Sequence, residues 1–120
     1  MKPPSSRPGA VAAHFRDRAP NVAATYSALL RAARALGRVT EEPKKTSIHL
    51  VRESAFAGVA TQKAALVLTL KSPTDLESSR IRKHERASAH RWHLELRLTE
   101  PGEVDAELRR WLAAAYTLAG

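Results

Sequence analysis

The chain has 120 residues and no cysteine, which excludes a disulfide framework, a thiol nucleophile and a thiolate metal site. Its 20 lysine and arginine residues outnumber its 12 acidic residues, and the formal net charge of +8 favours association with phosphate-rich or acidic partners. No apolar run approaches the roughly 20 residues that cross a bilayer. We therefore expect a soluble, cytoplasmic protein with no membrane partner, and the length predicts one domain.

The N-terminal segment combines three prolines with serine and glycine and contains almost no large apolar side chain. Such a segment cannot bury enough apolar surface to offset the conformational entropy lost on ordering. We therefore predict a disordered tail over residues 1–13 and a single α+β domain over residues 14–120.

An amphipathic helix is predicted after this tail. Asn21 is a favoured N-cap residue, and Gly37 is placed to end the helix at C′. Apolar residues at helical spacing lie between them: Val22, Tyr26, Leu29, Leu30, Ala33 and Leu36. Arg31 and Arg34 fall on the opposite, solvated face.

Three short extended runs follow a polar linker over residues 40–45. The runs cover residues 46–52, 55–60 and 64–71, and gaps this short favour antiparallel hairpins because parallel strands need a crossover of a dozen residues or more. We expect Ile48, Leu50, Leu66, Leu68 and Leu70 to face the core and His49, Val51, Val67 and Thr69 to face the other way. Gly58, inside the second run, indicates a bulge or a close approach of the backbone to another group.

Two further strands are predicted near the C-terminus. In residues 80–86 the alternation places Arg80, Arg82, His84 and Arg86 on one side, with Ile81 inward beside Lys83 and Glu85. A helix is the alternative for these residues, but it would have little apolar face to bury. In residues 91–99 the inward residues are Trp92, Leu94, Leu96 and Leu98, and the outward residues are His93, Glu95, Arg97 and Thr99. Because one face of this strand is core, the other is open to a partner.

A closing helix completes the prediction, with Thr99 as N-cap and Pro101 in its first turn. Its apolar stripe is Val104, Leu108, Trp111, Leu112, Ala115 and Leu118. The sequence thus predicts an α+β fold, an antiparallel sheet of about five strands with the N-terminal and C-terminal helices packed on one face. Two helices cover only one face of a sheet, so the other face stays bare.

The basic side chains of the last two strands form the strongest candidate site. We call them the basic strip: Arg80, Arg82, His84, Arg86, Arg91, His93 and Arg97. Lys63 and Lys71 are expected at the edges of this positive surface. Guanidinium groups form charge-assisted hydrogen bonds with phosphate and carboxylate. The strip predicts a non-enzymatic binding module for an anionic partner: nucleic acid, a phosphate-bearing ligand or an acidic protein. The charge can also be compositional, because arginine is a good helix former.

Other functions have less support. His49, His84 and His93 with Glu95 could share the bare face and form a small enzyme site, but their spacing matches no metalloenzyme motif, and the nearby arginines would repel a divalent cation. We therefore predict no metal and no cofactor. Binding of nucleic acid has less support because the chain lacks the aromatic stacking platform of sheet-based RNA-binding proteins. The bare face could instead pair with a second copy of the chain.

The sequence also resembles a small bacterial domain of unknown function. The resemblance rests on Lys44-Lys45-Thr46-Ser47-Ile48-His49, Phe56-Ala57-Gly58-Val59 with Lys63, Ile81-Arg82-Lys83, Trp92-His93, Val104-Asp105-Ala106-Glu107-Leu108, Trp111-Leu112 and Ala115-Tyr116. It covers about residues 15–116 and implies a helix-flanked antiparallel sheet but no activity. Similar domains look like the C-terminal part of predicted transport proteins. Relatives often have a His-Pro pair where this chain has Ala60-Thr61, which weakens the case for a catalytic histidine in that hairpin.

Overall fold

The computed structural model describes residues 8–120 and confirms the predicted α+β fold, an antiparallel sheet with helices packed against it. The helices are α1 (Pro8–Ala12), α2 (Pro20–Arg34) and α3 (Ala106–Leu118), with 3₁₀ turns at Ala13–Phe15 and Pro101–Glu103. The strands are β1 (Thr40–Pro43), β2 (Ile48–Val51), β3 (Ala55–Thr61), β4 (Leu66–Ser72), β5 (Ile81–Ser88) and β6 (Arg91–Leu98).

The sheet has six strands in the order β1-β2-β3-β4-β6-β5, and all neighbouring strands are antiparallel. Strands β1 to β4 form a meander, as the short gaps predict. The chain then crosses to the far edge as β5 and returns as β6 between β4 and β5. Strand β6 is therefore an interior strand with a partner on each side.

The additional strand is β1, where we expected only a polar linker. That expectation was wrong, because these residues pair with Ile48–Val51 and Pro43 is tolerated in an edge strand. Glu41 ties β1 to α2, since it accepts a hydrogen bond from Tyr26 Oη at 2.6 Å and lies 3.6 Å from Arg34 Nη2. Burial, followed by the hydrogen bond to Glu41, raises the pKa of Tyr26 above its ordinary value.

The core lies between one face of the sheet and helices α2 and α3. It contains Ile48, Leu50, Phe56, Val59, Leu66, Leu68, Leu70, Leu94, Leu96 and Leu98 from the sheet and Val22, Leu29, Leu108 and Leu112 from the helices, all 2 % exposed or less. The residues predicted to point outward from β2 and β4 are only partly buried. The period-two prediction for β2, β4 and β6 is therefore confirmed.

Helix α2 begins and ends differently from the prediction. Its N-cap is Ala19, with Pro20 at N1, where a missing N–H and a fixed φ are favourable. The Asn21 amide instead donates to the carbonyl oxygens of Ala64 at 3.1 Å and Thr99 at 2.5 Å. The helix ends at Arg34, so residue 37 lies beyond its C′ position.

Helix α3 begins at Ala106, so the prediction of Thr99 as its N-cap was wrong. The true N-cap is Asp105, whose side chain accepts a hydrogen bond from the Leu108 amide at 3.0 Å. Residues Pro101–Glu103 form a separate 3₁₀ turn. The chain must turn twice here because β6 ends in the sheet and α3 has to return across its covered face.

Both edges of the sheet disfavour the addition of another strand. Apart from Ile81, every residue of β5 is exposed, and the pairing of β5 with β6 shifts register near both of its ends. The other edge, β1, is short and ends in Pro43. Charges, bulges and proline are the usual means of protecting a sheet edge against the addition of another strand.

The N-terminal segment is described only from residue 8 onward. Residues 1–7 of the predicted tail lie outside the described residues, and Pro8–Ala12 forms α1, from which Val11 packs partly against the core. Within residues 8–120, no helix has both the length and the apolar character needed to span a bilayer.

Candidate binding site on the open sheet face

The face of the sheet that the helices do not cover, here called the open face, is organised by strand register. One row of neighbours runs from β2 to β6 through His49, Gly58, Thr69 and Glu95. In the next row, Lys71 of β4 lies opposite His93 of β6. Directly opposed side chains on one face have Cβ atoms about 4.5–5.5 Å apart, so Thr69 and Glu95 are neighbours, as are Lys71 and His93, while Gly58 leaves a gap between Thr69 and His49.

A β-bulge makes the open face concave. The pairing of β2 with β3 shifts register next to Val51, and both Phe56 and Ala57 are buried on the helix side. The Phe56 ring packs edge-on against Tyr116 of α3, with ring centroids 5.3 Å apart. As a result, β3 presents no outward side chain beside Lys71 of β4, and a hollow remains at that point.

Small residues extend this hollow into a cavity of about 390 Å³, here called the open-face cavity. Its lining is Ser47, His49, Ala55, Ala57, Gly58, Val59, Ala60, Val67, Thr69, Lys71, His93 and Glu95. At Gly58, an added Cβ would lie 3.9 Å from His49 Cδ2, so even one methyl group would reach the histidine ring. A mostly apolar floor with a few convergent polar groups is typical of small-molecule sites.

Some charged side chains around the cavity have an ionic partner of opposite charge, and one has none among the described residues. His93 Nδ1 lies 3.5 Å from Glu85 Oε1, and Glu95 Oε2 lies 3.5 Å from Arg82 Nε. Lys71, by contrast, has no carboxylate within ion-pair distance among residues 8–120. Lys71 is therefore the cation of the cavity that remains available to a ligand.

Strand β5 does not have the alternation that we predicted for residues 80–86. A register shift between Ile81 and Lys83 places Lys83 opposite Glu95 on the open face. His84 consequently lies opposite the buried Leu94. The prediction that Arg82 shares one side with His84 and Arg86 was wrong, because the bulge inverts the positions that follow Arg82 and turns His84 and Arg86 to the side of Leu94 and Trp92.

The remaining members of the basic strip are dispersed. Arg86 lies opposite Trp92, with its guanidinium carbon 5.9 Å from that ring. Arg97 Nε donates to Gln62 Oε1 at 3.1 Å, and Arg91 is exposed at the start of β6. Of the strip, Arg82, His93 and Arg97 lie on the open face, as does Arg91 by the alternation of β6, and anion binding by these residues stays a prediction.

The histidine cluster is also only partly assembled. His49, His93 and Glu95 line the open-face cavity, whereas His84 contacts Asp75 at 2.5 Å through its Nδ1 atom on the other side of the sheet. Within residues 8–120, no group of three or more histidine, aspartate or glutamate side chains is placed to hold a metal ion.

Comparison with known proteins places the whole folded region in one family. The model of a domain of unknown function, DUF5655, matches residues 11–119. The chain belongs to the DUF5655 family. No curated protein and no solved structure matches it significantly. The match confirms the expected family of domains of unknown function, and the resemblance to parts of predicted transport proteins stays a prediction.

Two features of the site in this DUF5655 domain were only approximately predicted from the sequence. Gly58 indicated a bulge or a close backbone approach in this strand, and the bulge lies two residues away, between Ala55 and Ala57. Lys71 was predicted only at the edge of the positive surface and not in a cavity, because a lysine at the end of a predicted strand is ordinary. Only the partner strands show that Lys71 faces a hollow instead of solvent.

Arg80 has a structural role in the DUF5655 domain, away from the open face. Its Nη1 atom donates to Asp105 Oδ1 at 2.9 Å and Glu107 Oε1 at 3.1 Å, and its Nη2 atom donates to the Glu103 carbonyl at 2.7 Å. Its guanidinium carbon also lies 5.8 Å from the Trp111 ring centroid. Burial opposes the charge, but the two carboxylates outweigh it and raise the pKa of Arg80. These contacts fasten β5 to the start of α3.

The 3₁₀ turn Pro101–Glu103, which lies beside Arg80, is expected to make the stability of the fold sensitive to acid through Glu103. Burial alone would raise the pKa of Glu103, but hydrogen bonds from Thr99 and the Glu100 amide outweigh it, and the pKa is lowered. The lowered pKa contributes stability above the unfolded-state value of about 4.3, and this stability is lost as pH falls through the folded-state pKa.

We therefore expect Glu103→Gln to reduce the free energy of unfolding by about 1 kcal/mol at pH 7. The difference from the native chain should shrink between about pH 5 and pH 3. Urea unfolding followed by circular dichroism measures both quantities, and the exposed Glu77 provides the control substitution Glu77→Gln. A difference that is constant with pH would contradict the assignment of these hydrogen bonds to the carboxylate form.

Proposed function

We propose that this DUF5655 domain is a non-enzymatic binding module for a small organic molecule that carries an anionic group, carboxylate or phosphate, and that the molecule binds in the open-face cavity. The observation that carries the proposal is the juxtaposition, in one concave and largely apolar cavity, of Lys71 with His49 and His93. Lys71 has no ion pair among the described residues.

The dimensions of the cavity support a small ligand. A volume of about 390 Å³ lies within the range of roughly 300–1,000 Å³ typical of small-molecule sites. The alanines, Gly58 and Val67 would contact the apolar part of the molecule, and Lys71 would bind its anionic group. A charge-assisted hydrogen bond of this kind contributes about 1.5–3 kcal/mol.

A nucleic acid or acidic protein partner has less support. The bulge of β5 disperses the basic strip, and Arg80 is engaged by Asp105 and Glu107. The two tryptophans, Trp92 and Trp111, pack against the core, so they offer no exposed platform on which bases could stack.

NMR titration of the full chain tests the proposal. We use phenyl phosphate and benzoate as anionic probes and benzamide as the neutral probe of the same shape, and we follow the Gly58 amide signal. We expect both anions to bind more tightly than benzamide. We also expect Lys71→Gln to weaken anion binding by about tenfold or more, which corresponds to about 1.4 kcal/mol.

The matched control is Arg110→Gln. Arg110 is exposed on α3, so this change removes one positive charge without touching the open face. Equal losses of affinity in both variants would assign binding to net charge and would contradict the proposed site. Failure of both anions to shift the Gly58 signal would contradict the proposed function, and the relative affinities of phosphate and carboxylate identify the preferred anion.

A further inference from the structure

We infer that the ligand of the open-face cavity also carries a cationic hydrogen-bond donor, so that it is an amino acid or a related amino carboxylate with an apolar side chain. This inference rests on the proposed function and refines it. It comes from Glu95, a carboxylate in the wall of the same cavity that an anion-binding site does not need.

Glu95 keeps most of its hydrogen-bonding capacity. Its side chain is 27 % exposed, and its one ion pair joins Oε2 to Arg82 Nε at 3.5 Å, longer than the usual charge-assisted distance of about 2.7–2.9 Å. Among residues 8–120, no donor makes a hydrogen bond to either of its oxygens within the usual geometry. An ionised carboxylate has about four acceptor sites, so Glu95 can accept an ammonium group.

Lys71 and Glu95 are placed to act on one molecule. Lys71 pairs with His93, and Thr69 pairs with Glu95, which makes Lys71 and Glu95 diagonal neighbours on the open face. Diagonal neighbours are about 7–8 Å apart, and these two side chains do not form an ion pair with each other. Opposite charges held apart across one cavity complement the carboxylate and the ammonium group of an amino carboxylate.

The apolar part of the ligand follows from the floor of the cavity. Ala60 of β3 lies opposite Val67 of β4, and both line the cavity next to Gly58. These residues offer a flat surface with no donor or acceptor on their side chains. An apolar side chain could lie over them while the charged end lies between Lys71 and Glu95.

Three probes with the same phenyl ring separate the contributions of the anionic and the cationic group to binding. L-phenylalanine carries both charges, 3-phenylpropionate only the anion and 2-phenylethylamine only the cation. In NMR titrations of the native full chain, we expect L-phenylalanine to bind at least about tenfold more tightly than either analogue, as one added charge-assisted contact implies. This comparison requires no substitution and does not depend on the folding of a variant.

Substitution of Glu95 then tests whether its carboxylate causes the tighter binding of L-phenylalanine. We expect Glu95→Gln to bring the affinity for L-phenylalanine to within about threefold of that for 3-phenylpropionate, and to leave 3-phenylpropionate binding equal or stronger because a like charge is removed. Glu77→Gln, at an exposed position outside the cavity, should leave all three affinities unchanged.

The outcomes distinguish this inference from the proposed function. If 3-phenylpropionate binds in a Lys71-dependent way and L-phenylalanine binds no more tightly, the inference is overturned and the proposed function stands. If neither carboxylate binds, the inference is overturned, and the proposed function is overturned as well unless phenyl phosphate binds in a Lys71-dependent way.

Discussion

We expect Phe56→Ala to lower the free energy of unfolding by about 4 kcal/mol. Phe56 is fully buried, and its ring packs edge-on against Tyr116 at 5.3 Å between centroids. Truncation removes a large apolar surface and an aromatic pair, and the rigid sheet backbone limits how far the site can collapse. Urea unfolding with a linear extrapolation measures the loss.

The matched control is Val67→Ala on the open face, where the side chain is only partly buried. We expect this change to cost about 1 kcal/mol or less, since little apolar area is removed from the core. Equal losses for the two variants would mean that Phe56 does not lie in the core. The bulge that turns Phe56 toward α3, and with it the explanation of the hollow, would then be wrong.

We expect Gly37→Ala to lower the free energy of unfolding by about 3 kcal/mol, from two independent causes. Gly37 has a φ of +152°, a backbone conformation that residues with a Cβ rarely adopt and that typically costs about 1–3 kcal/mol. A Cβ at this position would also clash with Tyr116 Oη. That hydroxyl donates to the Arg38 carbonyl at 3.0 Å, so it cannot move away without losing a hydrogen bond.

A double-mutant cycle separates these causes. Tyr116→Phe alone should cost about 1 kcal/mol, because one hydrogen bond to a carbonyl is lost. In the Tyr116→Phe background, Gly37→Ala should cost less than in the native chain, because the oxygen that meets the new Cβ is absent. The remaining cost reports the backbone conformation. An unchanged cost in both backgrounds would contradict the close approach of residue 37 to Tyr116 and leave only the φ effect.

The positive charge of the chain has several separate roles in the fold. Arg80 fastens β5 to the start of α3, and Arg34 contributes to holding β1 through Glu41. Much of what looks in the sequence like a surface for anions is therefore paired within the domain. The proposed site depends on the position in a cavity of one lysine that has no ion pair among residues 8–120, and not on the net charge of +8.

The covered and open faces of the central strands could be predicted because their signal is local. Leu66, Leu68 and Leu70 alternate with Val67 and Thr69, and a regular strand sends successive side chains to opposite faces. The same rule placed His93 and Glu95 together on the open face, and the structure agrees. Two polar residues of the cavity, His93 and Glu95, could thus be predicted from the sequence of β6 alone.

The rule that successive side chains of a strand point to opposite faces failed where a strand contains a bulge. The register shift after Ile81 reversed the sides of residues 83–86 in β5, up to a second shift before Ser88, and this separated His84 from His93. The bulge in β3 opened the hollow beside Lys71. A bulge depends on how a strand fits its neighbour, and it inserts one residue without a clear change in composition.

The sequence by itself determined the α+β class, the covered face of the sheet and the amphipathic stripes of α2 and α3, because hydrophobic periodicity acts over a few neighbouring residues. Only the tertiary structure decided the strand order, the existence of β1 and the assembly of the open-face cavity. Each of these depends on pairing between residues distant in the chain. Thr40–Pro43 has little strand propensity of its own and becomes a strand only because it pairs with the backbone of β2. Likewise, Lys71 belongs to a site only because the β3 bulge lies beside it.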